Sequence, residues 1–426
     1  MEHLLQYLWM HRIFPLQILQ TTDGMPLEVI DSGLHNRNAG PDFFNAKVKI
    51  GQTLWVGNIE VHTASSDWYR HGHDKDRNYD SVILHVIGND DCEILRPDGQ
   101  VIPQFRLDCS TNIKQDYNQL CQLTDYPRCH NILSSLSPLR IHSWLETLQI
   151  ERLEQKTIDI EKRVSQCNGS WEDAFFVTLS RNLGFGLNGD TFERWAYRLP
   201  LRAVDKHRDN LMQVEALFFG TAGLLKEEID DTYYKNLQKE YLYLSHKFGL
   251  ADPIEEHLWR RLRIRPNNFC HVRIAQLAAL YNKERSLLSC FIEVDEPSDV
   301  CKLFDVSTSE YWDTHFSFTH LSPQNKKTWG AGAMQLIIIN TLIPFLYAYG
   351  KHKSNDSLCE KAFEFLTKMK AENNVIIRQW ETIGIKIESA ADSQALIQLK
   401  KEYCDKRKCL HCRFGYEFLK RSTLNK

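Results

Sequence analysis

The spacing of apolar residues changes once along this chain of 426 residues, and that change constrains the fold more than any other feature. Up to about residue 110, short runs rich in β-branched and aromatic residues alternate with turn signals, which predicts strands. From about residue 134, apolar residues recur at helical spacing. The sequence therefore predicts an α+β protein with a mixed α/β domain at 1–110, a linker at 111–137, and a helical domain at 138–426 that ends in a cysteine-rich basic segment.

Four apolar runs in the first domain are predicted to be strands, at 26–30, 46–50, 53–62 and 82–87. Gly51 and Gln52 separate the second run from the third, as in a tight hairpin. A second hairpin, between 92–95 and 101–105, is predicted around the turn sequence Arg96-Pro97-Asp98-Gly99.

Composition is that of a soluble globular protein, with 42% hydrophobic residues, 25% charged residues and a formal net charge of −3. This charge excludes an overall polycation but leaves room for a local basic patch. The N-terminal residues lack the basic region and cleavage site of a secretory signal, and the 12 cysteines are mostly isolated. We therefore expect a cytoplasmic protein with reduced thiols. The sequence leaves its oligomeric state open.

The most apolar segment, 331–349, is interrupted by Gln335, Asn340 and Pro344. A membrane span needs about 20 mainly apolar residues. The segment is therefore predicted to be a buried core helix with a kink at its proline, and we expect no membrane partner.

Acidic and imidazole side chains are concentrated where the predicted strands of the first domain begin and end. Asp42 follows a Gly-Pro turn before one strand, and Glu60 lies near the end of the next. A hairpin can bring these carboxylates together, and oxygen ligands suit Mg²⁺. His62 has the same strand parity as Glu60, so both side chains leave the same face. The sequence thus predicts a Mg²⁺ or Mn²⁺ site at Asp42 and Glu60.

The order of these elements resembles the PD-(D/E)XK phosphodiesterase superfamily of restriction-type nucleases. That order is a helix, a strand, Pro41-Asp42, a strand, Glu60-x-His62, a helix and a strand, within about the first quarter of the chain. The resemblance implies that Asp42 and Glu60 bind the metal, that His62 stands in for the usual lysine and activates water, and that Glu2 on the first helix assists. His62 carries no fixed positive charge at pH 7, so a catalytically inactive nucleic-acid-binding or scaffold protein is an alternative.

Further donors after His62 support a third hypothesis, a zinc-dependent hydrolase of a small substrate. With His62, its ligands would be His71, His73, Asp76 and His85. His71-Gly72-His73 is similar to the HxHxDH motif of metallo-β-lactamase-fold hydrolases, but Lys75 stands in place of its Asp and no His follows. Geometry separates the hypotheses. The nuclease needs both carboxylates at one cation, whereas the zinc hydrolase needs at least three converging donors.

Three cysteines, Cys404, Cys409 and Cys412, lie close together near the C-terminus. A Cys-x₂-Cys pair is typical of Zn²⁺ sites and of iron–sulfur clusters. The segment lacks a fourth cysteine, and the candidates for the missing ligand are Cys129, His130 and Cys359.

Two segments are basic, 400–426 with nine Lys/Arg against three Asp/Glu, and Arg260 to Arg265. Both are compatible with phosphate contacts and with a nucleic-acid partner. Gly184 to Gly189 spells GxGxxG but follows a helical stretch, so we expect a helix end there and no dinucleotide site.

Taken whole, the chain resembles a family of uncharacterised bacterial proteins that is defined only as a domain of unknown function. The similar pieces are 40–43, 57–62, 66–68, 82–86, 340–345 and the closing cysteine segment. This resemblance implies one evolutionary unit and no particular activity.

Overall fold

The structure is a computed structural model that describes residues 1–14, 18–36, 38–108, 111–122, 126–284 and 286–424. The chain forms two compact units. The first comprises Met1–Pro138, Thr382–Ile385 and Leu399–Lys426, and the second comprises Leu139–Glu381 and Lys386–Gln398. The protein is α+β, with a mixed sheet followed by a large helical region. The cysteine-rich segment, expected to close the helical domain, belongs to the unit that contains the sheet.

The sheet of the first unit is mixed and has six strands. They are β1 (Leu27–Asp31), β2 (Leu34–His35), β3 (Phe43–Ile50), β4 (Thr53–Ala64), β5 (Val82–Asn89) and β6 (Gln104–Arg106). Their order is β1-β3-β4-β5-β6, with β2 also beside β3. The pairs β1–β3, β2–β3 and β3–β4 are antiparallel, whereas β4–β5 and β5–β6 are parallel. All four predicted strands are therefore present, and the hairpin at Gly51 joins β3 to β4.

The second predicted hairpin is shorter than expected. Leu95 and Val101 form one isolated bridge across the turn, and Ile102 N donates to Ile94 O. Pro103 has no N–H to extend this ladder. The chain turns there to pair in parallel with β5.

The helices of the first unit lie before, between and after these strands in the chain. They are α1 (Glu2–Met10), α2 (Asp67–Arg70), α3 (Thr111–Gln122), α4 (His130–Leu133) and, at the C-terminal end, α19 (Arg413–Leu424). Two of them, α3 and α4, lie within 111–137, the stretch expected to be a linker. α1 lies against β4 and buries Leu4, Leu5, Leu8 and Trp9.

The second unit is built almost wholly from helices. They are α5 (Pro138–Gln166), α6 (Trp171–Leu183), α7 (Gly189–Ala196), α8 (Leu201–Lys206), α9 (Leu211–Thr221), α10 (Thr232–Phe248), α11 (Cys270–Lys283), α12 (Leu287–Glu293), α13 (Pro297–Leu303), α14 (Ala331–Ile337), α15 (Ile343–Lys353), α16 (Asp356–Lys368), α17 (Val375–Thr382) and α18 (Ala390–Gln398). A short antiparallel pair, β7 (His315–Ser317) and β8 (His320–Leu321), joins them. α6 ends at Leu183, so the GxGxxG sequence begins at a helix end, as predicted.

Aromatic rings fill the centre of the second unit. The rings of Phe176, Trp195 and Phe218 lie 5.4–5.9 Å apart in edge-on arrangements. The indole N–H of Trp195 is buried and donates to Phe218 O and to Thr221 Oγ1. Because the polar group of this large side chain is satisfied, its full apolar surface can be buried without an unpaired donor.

One helical run, Ala331–Lys353, is long and apolar enough to cross a membrane by length and composition alone. Of its most apolar window, 67% is buried inside the protein. A π-helical turn, Ile338–Leu342, precedes Pro344 in this run. Since proline has no N–H to donate and its ring crowds the preceding turn, a widened turn at this point relieves the helix.

We expect Gly220→Ala to destabilise the second unit by about 1–3 kcal/mol, a typical overpacking effect. A Cβ at Gly220, on α9, would overlap the Tyr241 ring on α10, and two packed helices have little room to separate. Gly332→Ala on α14 is the control, because a Cβ there meets open space and alanine favours helix by up to about 1 kcal/mol. Urea unfolding followed by circular dichroism measures both. Equal stability of Gly220→Ala and wild type would contradict this packing.

Candidate metal centre

Polar side chains from three neighbouring strands form a row across the sheet. Glu60 on β4 is in register with His85 on β5, which is in register with Gln104 on β6. In-register residues of adjacent strands leave the sheet on the same face, and His62 joins them two positions after Glu60. Asp42 immediately precedes β3, the antiparallel neighbour of β4. The sheet thus places the three motif residues together.

The connection between β4 and β5 brings two more imidazoles to this row. It consists of α2 and two 3₁₀ turns, His73–Lys75 and Arg77–Tyr79. The Asp67 carboxylate anchors its start, since Oδ2 accepts from Thr63 Oγ1 at 2.7 Å and from Ala64 N at 3.1 Å. Gly72, between His71 and His73, has φ +76°, a conformation that favours glycine.

Donor atoms of three imidazoles converge at this face. Ligand atoms of His62, His71 and His73 lie within 4.8 Å of one another, with His71 Nδ1 3.1 Å from His62 Nε2. Glu60 Oε1 is 3.4 Å from His62 Nε2 and 3.3 Å from His73 Nε2. Donors bound at about 2.1 Å to a tetrahedral ion are separated by about 3.4 Å. The contact between His62 and His71 therefore has the spacing of neighbouring ligands around one transition-metal ion, and Glu60 lies beside the same point.

The ring of His73 is held between two other rings. It stacks on Tyr79 with centroids 3.8 Å apart and faces His62 at 5.2 Å. Its Nε2 is buried and makes no hydrogen bond to the residues that the structure describes, although Glu60 Oε1 lies 3.3 Å away. An unsatisfied buried nitrogen costs about 1–3 kcal/mol. A bound ion would engage that nitrogen.

A chain of hydrogen bonds behind His62 sets its tautomer. Gln104 Nε2 donates to Cys92 O at 2.9 Å, which orients Gln104 Oε1 towards His85 Nδ1 at 3.3 Å. A neutral His85 then donates from Nδ1 and accepts at Nε2 from His62 Nδ1, 2.8 Å away. The lone pair of His62 is thereby left on Nε2, which faces Glu60, His71 and His73. Such a partner behind a metal-binding imidazole orients the ring and increases its basicity.

Burial keeps the two inner imidazoles neutral. Burial, and then the neighbouring His85, His73 and His71, lowers the pKa of His62 to about 2. Burial likewise lowers the pKa of His85 to about 4. Neutral imidazole is the form that binds a metal, so the site is prepared for a cation at neutral pH.

Asp42 lies directly beside Glu60. Its Oδ1 accepts from Gln6 Nε2 at 2.9 Å and its Oδ2 from Val61 N at 3.0 Å. Its own N–H donates to Glu60 Oε2 at 3.1 Å. Burial, and then the charge of Glu60, raises the pKa of Asp42 to about 7. The two carboxylates therefore share one pocket, and Glu60 Oε1 remains directed at the imidazoles.

The remaining predicted residues lie around this group. His85 is fully buried behind His62 and bonds to it, away from the converging donors. Asp76 is exposed and turns to the loop backbone, where its carboxylate accepts from Asn78 N at 2.9 Å. Glu2 acts on Asp42 through charge, whereas Gln6, one turn later on α1, bonds to it. Sequence reasoning missed Gln6 and Gln104, because a neutral amide gives no charge or ligand signal.

The C-terminal cysteines lie in the first unit, in the lining of a small cavity that also contains Cys129. Of the other two candidates for a fourth ligand, His130 has its Nδ1 3.1 Å from Pro127 O, and Cys359 belongs to the second unit.

The basic segments are partly neutralised. Lys400 and Lys406 pair with Asp405 and Glu402, and Arg261 pairs with Glu256. Residues 425–426 of the basic tail lie outside the described residues.

The sheet and its polar row define an α+β protein with an imidazole-rich candidate metal centre. The chain belongs to the family described as Protein of unknown function (DUF2851), which matches residues 2–375. This match confirms the predicted membership of an uncharacterised family. No curated protein and no solved structure matches the chain.

Proposed function

We propose that this protein is a metal-dependent phosphodiesterase in which His62, His71 and His73 bind one divalent transition-metal ion. The convergence of the three imidazoles beside Glu60 carries this proposal. Three imidazole ligands leave a coordination position open for water, as in catalytic zinc sites. The ion would lower the pKa of that water, and Glu60 is placed to accept its proton.

The arrangement of the strands supports a phosphodiester as the bond cleaved. α1, β1, β3, β4, α2 and β5 follow one another in the order implied by the PD-(D/E)XK resemblance, with Asp42 before β3 and Glu60 on β4. Asp42 and Glu60 are adjacent, as that resemblance requires. His62 stands where the superfamily has lysine, and His71 and His73 lie beside it. We therefore expect Zn²⁺ or Mn²⁺ rather than Mg²⁺, because imidazole favours transition metals.

A zinc-dependent hydrolase of a small substrate is the second candidate. The same three imidazoles favour it, because this donor set is sufficient for hydrolysis without any nucleic-acid contact. The two candidates share the ion and differ in the substrate.

Cleavage assays on protein stripped of metal and reloaded with Zn²⁺, Mn²⁺ or Mg²⁺ test the proposal. We expect cleavage of single- or double-stranded DNA or RNA that requires Zn²⁺ or Mn²⁺ and is lowered about 10²–10⁴-fold by Glu60→Gln, the usual range for removal of a general base. Asp76 lies in the same connection, but its carboxylate is directed at Asn78 N. Asp76→Asn is therefore the matched control and should retain activity.

Other outcomes separate the alternatives. Cleavage of small phosphate or carboxylic esters alone would favour the second candidate. Stoichiometric metal binding without cleavage of any of these substrates would overturn both and leave a nucleic-acid-binding or scaffold protein. Cleavage that Glu60→Gln leaves unchanged would show that another site is responsible.

We expect His85→Phe to weaken Zn²⁺ binding about 10–100-fold, the range for loss of a group that supports a ligand. Phenylalanine fills the buried position but cannot accept from His62 Nδ1, so the His62 ring loses its preferred tautomer. Isothermal titration calorimetry measures the affinity. An affinity equal to that of wild type would show that the hydrogen-bond chain through Gln104 does not orient His62.

A further inference from the structure

Four cysteines line one small cavity in the first unit. Each lies at the end of a local element. One precedes α4, one ends the π-helical turn Leu399–Cys404, one begins the 3₁₀ turn Cys409–His411, and one precedes α19. These residues are Cys129, Cys404, Cys409 and Cys412, and they share the cavity with Leu120, Arg128, Tyr403 and Gly415. Three of these cysteines are close together in sequence, and tertiary structure brings Cys129 to them.

The four sulfurs are thiols in a largely buried setting. Cys129 and Cys412 are only 9% and 7% exposed. Burial, and then the neighbouring Cys412, raises the pKa of the Cys129 and Cys404 thiols. A bound metal deprotonates the thiols that coordinate it.

The backbone around the cavity is tightly wrapped. Arg128 Nη1 donates to Cys404 O at 2.8 Å, which holds the segment before α4 against the C-terminal segment. A Cβ on Gly415 would overlap Cys409 O. The tight turn from Cys409 into α19 therefore requires glycine at this position. The Arg128 guanidinium beside Cys404 and Cys409 offers positive charge, which suits a centre with several thiolates.

We propose that Cys129, Cys404, Cys409 and Cys412 bind an iron–sulfur cluster. Thiolates at about 2.3 Å from one Zn²⁺ would be about 3.8 Å apart. Among the described residues, the His62 group is the sole set of three donor atoms within 4.8 Å of one another, so no three of these sulfurs are that close. The wider spacing suits a cluster, in which each thiolate binds a different iron.

The cluster would connect distant parts of the sequence. Cys129 and Cys404 are 275 positions apart (404 − 129), and both belong to the first unit. A metal centre that forms only in the folded state adds its binding free energy to folding. The cluster would therefore fasten the C-terminal segment to the sheet-containing unit, and this role is independent of the histidine centre.

Anaerobic purification of the full chain, followed by iron, sulfide and zinc analysis, tests the proposal. We expect about four irons and four acid-labile sulfides per chain, with visible absorption that bleaches on reduction by dithionite. Cys129→Ser and Cys409→Ser should each lose most of the iron and sulfide. Cys301→Ser, at an exposed cysteine of the second unit, should retain both.

A labelling experiment on wild-type protein keeps the test independent of whether the variants fold. Under native conditions iodoacetamide should modify Cys301 but spare the four cysteines, which should react once the cluster is removed by ferricyanide and chelator. One zinc per chain without sulfide would overturn the cluster assignment. Iron without sulfide that persists in Cys129→Ser would place the iron elsewhere and also overturn it. Absence of metal together with native labelling of all four cysteines would overturn the site itself.

Discussion

His73→Phe is expected to lower the affinity for Zn²⁺ by more than about 100-fold and to abolish hydrolysis, since loss of a ligand exceeds the 10–100-fold effect of losing a supporting group. Phenylalanine keeps the stacking on Tyr79 but removes the buried nitrogen that faces Glu60. The metal-free variant should be at least as stable as wild type, because it no longer buries an unsatisfied donor or acceptor.

Competition with a chromophoric chelator measures the affinity, and thermal unfolding in excess chelator measures the stability of the metal-free protein. His142→Phe is the control. That imidazole is exposed on α5 and pairs with Glu146, so its loss should change neither quantity much. If His73→Phe binds Zn²⁺ as wild type does, His73 is a packing residue and the assigned ligand set is wrong.

Glu215→Gln is expected to stabilise the second unit by about 3 kcal/mol at pH 8 and to have little effect near pH 4.5. Glu215 is fully buried and accepts from Tyr233 Oη at 2.6 Å, from Ser309 Oγ at 2.9 Å and from Trp312 Nε1 at 3.3 Å. Burial raises the pKa of Glu215 from 4.5 to about 7 although these three donors oppose the shift.

The sign follows from proton counting. Between pH 4.5 and about 7 the unfolded state releases a proton that the folded state keeps, so the free energy of unfolding falls as pH rises. Each pKa unit corresponds to about 1.4 kcal/mol. Glutamine remains neutral and can reproduce the hydrogen bonds of protonated Glu215. Its Nε2 donates to Tyr233 Oη, Tyr233 donates to Ser309 Oγ, and Ser309 and Trp312 donate to its Oε1.

Urea unfolding at several pH values between about 5 and 8 tests this. The curves of wild type and variant should diverge as pH rises. Parallel curves would mean that Glu215 titrates normally, or that its charge is fully compensated by the three donors.

Local patterns were sufficient for much of the sheet. The alternation in 53–62 and the turn at Gly51 predicted β4 and its hairpin, because both depend on residues only a few positions apart. Strand parity then placed Glu60 and His62 on one face before any pairing was known. The early end of the second hairpin at Pro103 shows the limit of this reasoning, because a parallel partner strand cannot be read from a turn sequence.

The site depended on contacts between distant residues. Asp76 and His73 lie in the same short connection and look equally suited to bind a metal, yet one side chain turns to the loop backbone and the other into the imidazole group. Gln104 gains its role only because β6 pairs with β5 in the register that sets it beside His85. Such choices follow from packing and register, which local propensity does not encode.

By itself, the sequence determined the α+β class, the strands that carry Asp42, Glu60 and His62, and the cysteine motif at the C-terminus. Periodicity, parity and spacing are local properties, so they can be recognised in the sequence without knowledge of the fold. Tertiary structure alone decided that His71 and His73 converge with His62, that the Gln104–His85 hydrogen bonds set the His62 tautomer, and that Cys129 joins the three C-terminal cysteines. Each of these depends on bringing together side chains that are far apart in the chain or separated by a turn, and the physical cause is the register and packing of whole elements.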